Sequence, residues 1–156
     1  MKSQQKLLDE KIAAVERICR EHKLPMTVQR RGVMEELAGR YDHPTADEVF
    51  ESVRKRFPEI SRATVYRVLD TFVTLGVVRK INSPEAKARF DADTRRHHHI
   101  HCICCGAIAD VHAAGLDSLP IPDSERADFE IYDYSITFTG KCADCRVKDC
   151  ARTEEP

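Results

Sequence analysis

Tryptophan is absent from the 156 residues, and Tyr, Phe and Trp together amount to 6%. Any core must therefore be mostly aliphatic. No apolar run reaches the about 18 residues that a membrane-spanning helix needs, so the chain is not expected to enter a bilayer. Met1 to Glu10 mixes charges of both signs and has no apolar stretch of signal-peptide length, which points to a cytoplasmic protein. A dominant sign of charge is missing as well, with 25 basic residues against 26 acidic ones. What remains is an ordinary composition, 42% hydrophobic and 33% charged, enough for one compact domain or two small ones.

The near-neutral total conceals an asymmetry. Residues 1–80 hold 16 Lys/Arg and 12 Asp/Glu, whereas residues 81–156 hold 9 and 14. A basic first half suits nucleic acid, and an acidic second half implies a different partner. Cysteine is just as uneven. Six of the seven follow residue 100, as do His101 and His112, with His97, His98 and His99 immediately ahead. An odd count without an export signal argues against a disulfide framework and for metal binding.

Periodicity organises the first half. Leu8, Ile12, Val15 and Cys19 fall at helical spacing and predict a helix over about 4–22, with Cys19 in its core stripe. Thr27 caps a second helix that places Val33, Met34 and Leu37 inward and stops at Gly39. Thr45-Ala46-Asp47-Glu48 reads as a capping box, and Val49, Phe50, Val53 and Phe57 follow until Pro58. Ser61 caps a fourth helix that ends at Gly76. It buries Val65, Leu69 and Phe72 and presents Arg62, Tyr66, Arg67, Asp70 and Thr74. Two strand-like runs come next, Val77–Ile81 and Lys87–Asp91, joined by Asn82-Ser83-Pro84-Glu85. Helices closed by a hairpin form a winged helix-turn-helix. The later pattern is strands, over His98–Ile103, Ala107–Val111 and Asp128–Phe138, with Pro120 and Pro122 keeping any intervening helix short. The expected class is α+β: a winged-helix domain over 1–84, a hinge over 85–92, and a small α/β domain over 93–156.

The strongest chemical signal is Cys102-x-x-Cys105 with Cys142-x-x-Cys145. Four thiolates make a closed tetrahedral zinc site, and Gly106 suits the tight turn after Cys105. Cys104 could compete for the metal and Cys150 could add a further thiol, but the two-residue spacing favours 102/105. The second signal is Arg95-Arg96-His97-His98-His99-Ile100-His101. On a strand His97, His99 and His101 share one face and His98 takes the other. With Asp91 upstream and Asp110 on the next strand, such donors suit Fe²⁺, Mn²⁺ or Zn²⁺. The third is the Arg-lined face of the fourth helix, followed by Arg79, Lys80, Lys87 and Arg89 of the wing.

Taken together, His43-Pro44-Thr45-Ala46-Asp47-Glu48-Val49-Phe50, Ser61-Arg62-Ala63-Thr64-Val65-Tyr66-Arg67-Val68-Leu69, Arg89-Phe90-Asp91, His97-x-His99 and the two CxxC pairs resemble the ferric uptake regulator family over about residues 5–148. The resemblance implies a homodimeric bacterial repressor that binds an inverted-repeat operator in double-stranded DNA, with a C-terminal dimerisation domain. It implies structural zinc on Cys102, Cys105, Cys142 and Cys145, and a regulatory Fe²⁺ or Mn²⁺ on His43, Asp91, His97, His99 and Asp110. Asp91 is similar to the peroxide-sensing branch; the iron-sensing branch tends to carry Glu there and the zinc-sensing branch a Cys nearby. In that branch an oxidant generated at the iron would modify His43 and His97, release the metal and end repression of oxidative-stress genes. DNA contacts would come from Arg30, Arg62, Tyr66 and Arg67.

The chain departs from the pattern in places. Thr27-Val28-Gln29-Arg30 replaces Thr-Pro-Gln-Arg, Arg96, His98 and Tyr134 stand where an additional metal site would need His, Asp and His, and Cys104 is unusual. An iron- or zinc-sensing uptake repressor is the main alternative reading. A non-haem iron enzyme using His97, His99 and Asp91, or a zinc carrier, would leave the winged helix unexplained, so the chain is not expected to be an enzyme.

Overall fold

A computed structural model describes residues 2–83, 86–120 and 131–148. The chain divides into two compact units, residues 1–94 and 95–156. No helix among the described residues is long and apolar enough to cross a membrane.

The first unit has four helices and a hairpin: α1 (Lys2–Glu21), α2 (Val28–Ala38), α3 (Ala46–Arg56), α4 (Arg62–Thr74), β1 (Arg79–Ser83) and β2 (Ala86–Asp91). Its helix starts follow local chemistry. The side chains of Thr27, Thr45 and Ser61 accept from the backbone N–H groups of Arg30, Glu48 and Thr64, and the Glu48 carboxylate returns to the Thr45 N–H at 2.7 Å. Each pairing satisfies donors that a helix start leaves open. α4 closes with Gly76 at φ +69°, where the Val77 N–H reaches the Phe72 carbonyl and the Gly76 N–H the Val73 carbonyl. Glycine takes this left-handed position without strain. The core is mostly aliphatic around Phe72 and Phe90: Val33, Met34, Leu37, Val49, Val65, Leu69 and Phe72 are all at most 1% exposed.

The hairpin begins later than its sequence suggests. Val77 and Val78 are buried beneath α4 rather than paired in the wing, and β1 starts at Arg79. β1 and β2 are antiparallel, Arg79 facing Asp91, with an irregularity between Ile81 and Ser83. Pro84 and Glu85 of the expected turn lie outside the described residues.

The second unit holds β3 (His98–Cys102), β4 (Ile108–Val111), β5 (Thr137–Gly140) and a short α5 (Ala143–Val147). The sheet order is β4-β3-β5, with β4 antiparallel and β5 parallel to β3. The expected strand over 128–138 is corrected over 131–136, while residues 128–130 lie outside the described residues. Residues 131–136 are not strand, and β5 starts at Thr137 and runs on to Gly140. Parallel pairing with His99–Cys102 sets these limits, and the chain just beyond β5 brings the Cys142 N–H to Cys102 Sγ. α5, which periodicity in so short a segment cannot announce, carries Cys145 at its centre. Between β4 and Pro120 the described chain has turns and no helix. Pro122 and Cys150 lie outside the described residues.

Candidate metal centres and reading surface

Cys102, Cys105, Cys142 and Cys145 bring their sulfurs within 4.8 Å of one another. A regular tetrahedron with arms of about 2.3 Å has edges of about 3.8 Å, and Cys105 Sγ to Cys142 Sγ is 3.8 Å. The turn that presents the first pair is held by the Gly106 N–H on the Cys102 carbonyl and the Cys102 N–H on the Ala107 carbonyl, with Gly106 at φ +69°. The Cys142 N–H points at Cys102 Sγ, 3.3 Å away. That N–H and the one on Cys105 hold the Cys102 thiol down to about 6. Cys145 moves the opposite way, to about 12, chiefly through its thiol's hydrogen bond with Cys142 and then through burial. Four thiols so placed suit a divalent cation that neutralises them together. Cys104 is not among the four.

The nitrogen and oxygen donors fall on both units. In the first, His43 ends the loop after α2 with φ +50°, a left-handed conformation that is uncommon for a residue with a Cβ. Two bonds from β2 hold it there. Arg89 Nη1 donates to the His43 carbonyl at 2.9 Å, and the Phe90 N–H donates to the Pro44 carbonyl at 2.9 Å. The same strand ends at Asp91, whose Oδ2 lies 4.0 Å from His43 Nε2. Its Oδ1 accepts from the Asp93 N–H at 2.7 Å, which turns the other oxygen toward the imidazole. Both side chains are buried.

In the second unit His97, His99 and Asp110 converge. The β3–β4 register sets His99 opposite Asp110. His97 Nε2 lies 3.0 Å from His99 Nε2 and 3.4 Å from Asp110 Oδ1, and His99 Nε2 is 3.8 Å from that oxygen. Donors about 2.1 Å from one ion stand about 3.0–3.4 Å apart, so the two shorter separations suit a shared cation and the 3.8 Å one asks for a wider angle at it. His97 Nδ1 is 2.8 Å from the Arg95 carbonyl oxygen. That oxygen can only accept, so Nδ1 carries the proton and Nε2 offers its lone pair. His101 is buried further along β3 and is not part of this trio.

His98 takes the other face, as alternation predicts, and is fully buried there. Its Nδ1 accepts from the Ile136 N–H at 3.3 Å, its Nε2 lies 3.3 Å from Asp117 Oδ1, and its ring stacks on Tyr134. The Arg96 guanidinium covers the Tyr134 ring at 4.8 Å and binds Asp133 and the Asp117 carbonyl. A fixed cation thus joins these side chains, as their sequence departure from a metal-ligand set suggests.

α4 presents Arg62, Tyr66 and Arg67 to solvent while Val65, Leu69 and Phe72 face the core. Arg30, at the start of α2, donates to the Pro25 carbonyl. One residue escaped notice in the sequence. Asp47, read there only as part of a capping box, receives Arg62, Tyr66 Oη and Lys87 together. Nothing in the sequence signals this, because it needs β2 to pass beside the start of α3.

The sequence model described as the Ferric uptake regulator family matches residues 21–139. The peroxide-responsive repressor of Staphylococcus epidermidis is 34% identical over 139 residues, covering 89% of this chain and 90% of its own. Among solved structures, the ferric uptake regulator of Helicobacter pylori superposes with TM-score 0.72 at 18% identity, over 89% of this chain and 93% of that one. The peroxide stress regulator of Campylobacter jejuni gives TM-score 0.61 at 28% identity, over 83% and 97%.

Proposed function

The chain belongs to the ferric uptake regulator family, and from that membership we propose that it represses oxidative-stress genes until hydrogen peroxide oxidises its own histidine ligands. At the coarser level it is a metal-responsive repressor and not an enzyme, as its relatives are. Repression acts as a homodimer on an inverted-repeat operator in the cytoplasm. Cys102, Cys105, Cys142 and Cys145 hold a structural zinc. His43, Asp91, His97, His99 and Asp110 hold the regulatory Fe²⁺ or Mn²⁺.

The observation that carries this reading is the all-nitrogen-and-oxygen donor set with aspartate at position 91. His97, hydrogen-bonded through Nδ1 to the Arg95 carbonyl, keeps Nε2 for the ion, and Asp91, held through Oδ1 by the Asp93 N–H, keeps Oδ2. Such donors favour a borderline divalent metal over a soft one. Bound Fe²⁺ would supply one-electron reduction of peroxide beside the imidazoles, a chemistry that Mn²⁺ performs slowly. His43 and His97 are the rings that take up oxygen, and a ring so changed is a poor ligand.

Coupling to DNA follows from where the ligands lie in the chain. His43 and Asp91 belong to the winged-helix unit, and His97, His99 and Asp110 to the other. A ligand set drawn from both favours one arrangement of the two reading heads, so metal enriches the form that fits successive major-groove faces. Coupling of this kind is typically about 1–3 kcal/mol, or roughly 5–150-fold in affinity. Arg62, Tyr66 and Arg67 read the groove, with Arg30 positioned on the backbone.

The test is mass spectrometry of the anaerobically Fe²⁺-loaded protein after a small dose of hydrogen peroxide. Added oxygen is expected on peptides containing His43 or His97, and absent with Mn²⁺. Unmodified histidines alongside intact metal-dependent DNA binding would instead make the protein a sensor of metal supply.

A further inference from the structure

Asp47 is an acidic side chain set among groups suited to contact DNA. It sits in the first turn of α3, half-buried. Its Oδ1 accepts from Arg62 and, at 3.0 Å, from Tyr66 Oη, both on α4. Its Oδ2 accepts from Lys87 Nζ on the wing at 2.5 Å. Those three partners come from the reading helix and from the hairpin, so one carboxylate joins two elements that sequence separates. Arg62 is further confined by the Phe50 ring at 4.7 Å and by Glu51 at 3.6 Å. Arg67 and Lys80 are exposed, and among the described residues no ion pair holds either side chain.

We propose that Asp47 is a specificity-determining positioning residue of the DNA-reading surface, an inference that rests on α4 being the reading helix. Two physical effects follow from its placement. It presets Arg62, Tyr66 and Lys87 in one array, so less side-chain freedom is lost when the matching base edges and phosphates arrive. It also sets a negative charge where phosphate would approach. Binding that depends only on phosphate is weakened, whereas a correct sequence offsets the repulsion through base contacts. Discrimination is therefore gained by suppressing the wrong duplexes.

The experiment uses the full chain with its zinc retained and Mn²⁺ added. Affinity is measured over a range of KCl for two duplexes: the sequence that the wild type enriches from a random library, and a scrambled duplex of equal composition. Asp47→Asn should bind the scrambled duplex about 5- to 10-fold more tightly, reduce the ratio between the two duplexes, and steepen the slope of log affinity against log salt by about 0.9, as expected for one added net positive charge. Asp47→Glu, which keeps the charge but displaces the carboxylate, should hold the wild-type slope while the ratio falls. Glu36→Gln removes an equal charge from α2, where its partner is Arg40 and not Arg62, Tyr66 or Lys87, and should leave the ratio unchanged. An unchanged ratio in both Asp47 variants, or equal weakening on both duplexes with a lowered melting temperature, overturns the inference. Failure of the wild type to enrich any sequence in the presence of Mn²⁺ overturns the DNA reading itself, and this inference with it.

Discussion

In residues 1–94 most buried side chains are those of an ordinary small domain, with Val, Leu and Met packed around Phe72 and Phe90, and His43 and Asp91 are the buried polar ones among those described. In residues 95–156 the buried apolar side chains among those described reduce to Ile108 with Cys102 and Cys145, and the remaining interior is His97, His98, His99 and His101. The first unit can fold on apolar burial, at about 1.5–3 kcal/mol for each large side chain taken out of water. Among its described residues the second draws far less on that source. Its described interior is a set of histidines and cysteines suited to metal, so with the proposed zinc bound its folding free energy is expected to come largely from that ion. One chain therefore contains two solutions to the small-domain problem.

The contrast is sharpest under zinc removal. Chelation, or Cys102→Ser, should unfold the second unit and leave α1–α4 folded, since a structural zinc contributes on the order of 10 kcal/mol in small domains. Helical circular dichroism should persist while residues beyond 95 become protease-sensitive. Loss of both units together would show that the first depends on the second. The converse perturbation is Phe72→Ala, which empties the centre of the first core and should cost about 3–5 kcal/mol. Bound zinc, counted by thiol-reagent release, should stay at the wild-type ratio; its loss would erase the distinction between the units. A smaller effect separates them in the stabilising direction. Lys23 ends α1 at φ +55°, with the Leu24 N–H on the Cys19 carbonyl, a position that glycine fills more easily. Lys23→Gly should stabilise the first unit by about 0.5–1 kcal/mol, raising its melting transition and leaving the chelation-sensitive one in place.

The helix caps at Thr27, Thr45 and Ser61 were readable because capping is local chemistry within about four residues. The CxxC pairs were readable for a related reason, since two thiols at that spacing reach one metal whatever surrounds them. The start of the wing was not. Val77 and Val78 have strand-forming side chains, yet burial beneath α4 claims them first, and tertiary packing overrides intrinsic strand preference. The strand expected over 128–138 keeps only Thr137 and Phe138 among its described residues for a comparable reason, because its limits follow from pairing with His99–Cys102 and not from its own residues.

Sequence by itself determined the family, the four cysteines whose sulfurs converge, the helical half with its capped starts, and the candidate nitrogen and oxygen donors. These depend on residue type and short spacing, which a linear text preserves. Only the tertiary structure decided the remainder. It set His99 against Asp110 through strand register, left His97 Nε2 open by tying Nδ1 to the Arg95 carbonyl, and turned Asp91 toward His43 by engaging its other oxygen. It also gathered Arg62, Tyr66 and Lys87 onto Asp47, a residue 40 positions from Lys87. Such pairings arise where separate elements meet, and a side chain carries no local mark of the partner that folding will bring to it.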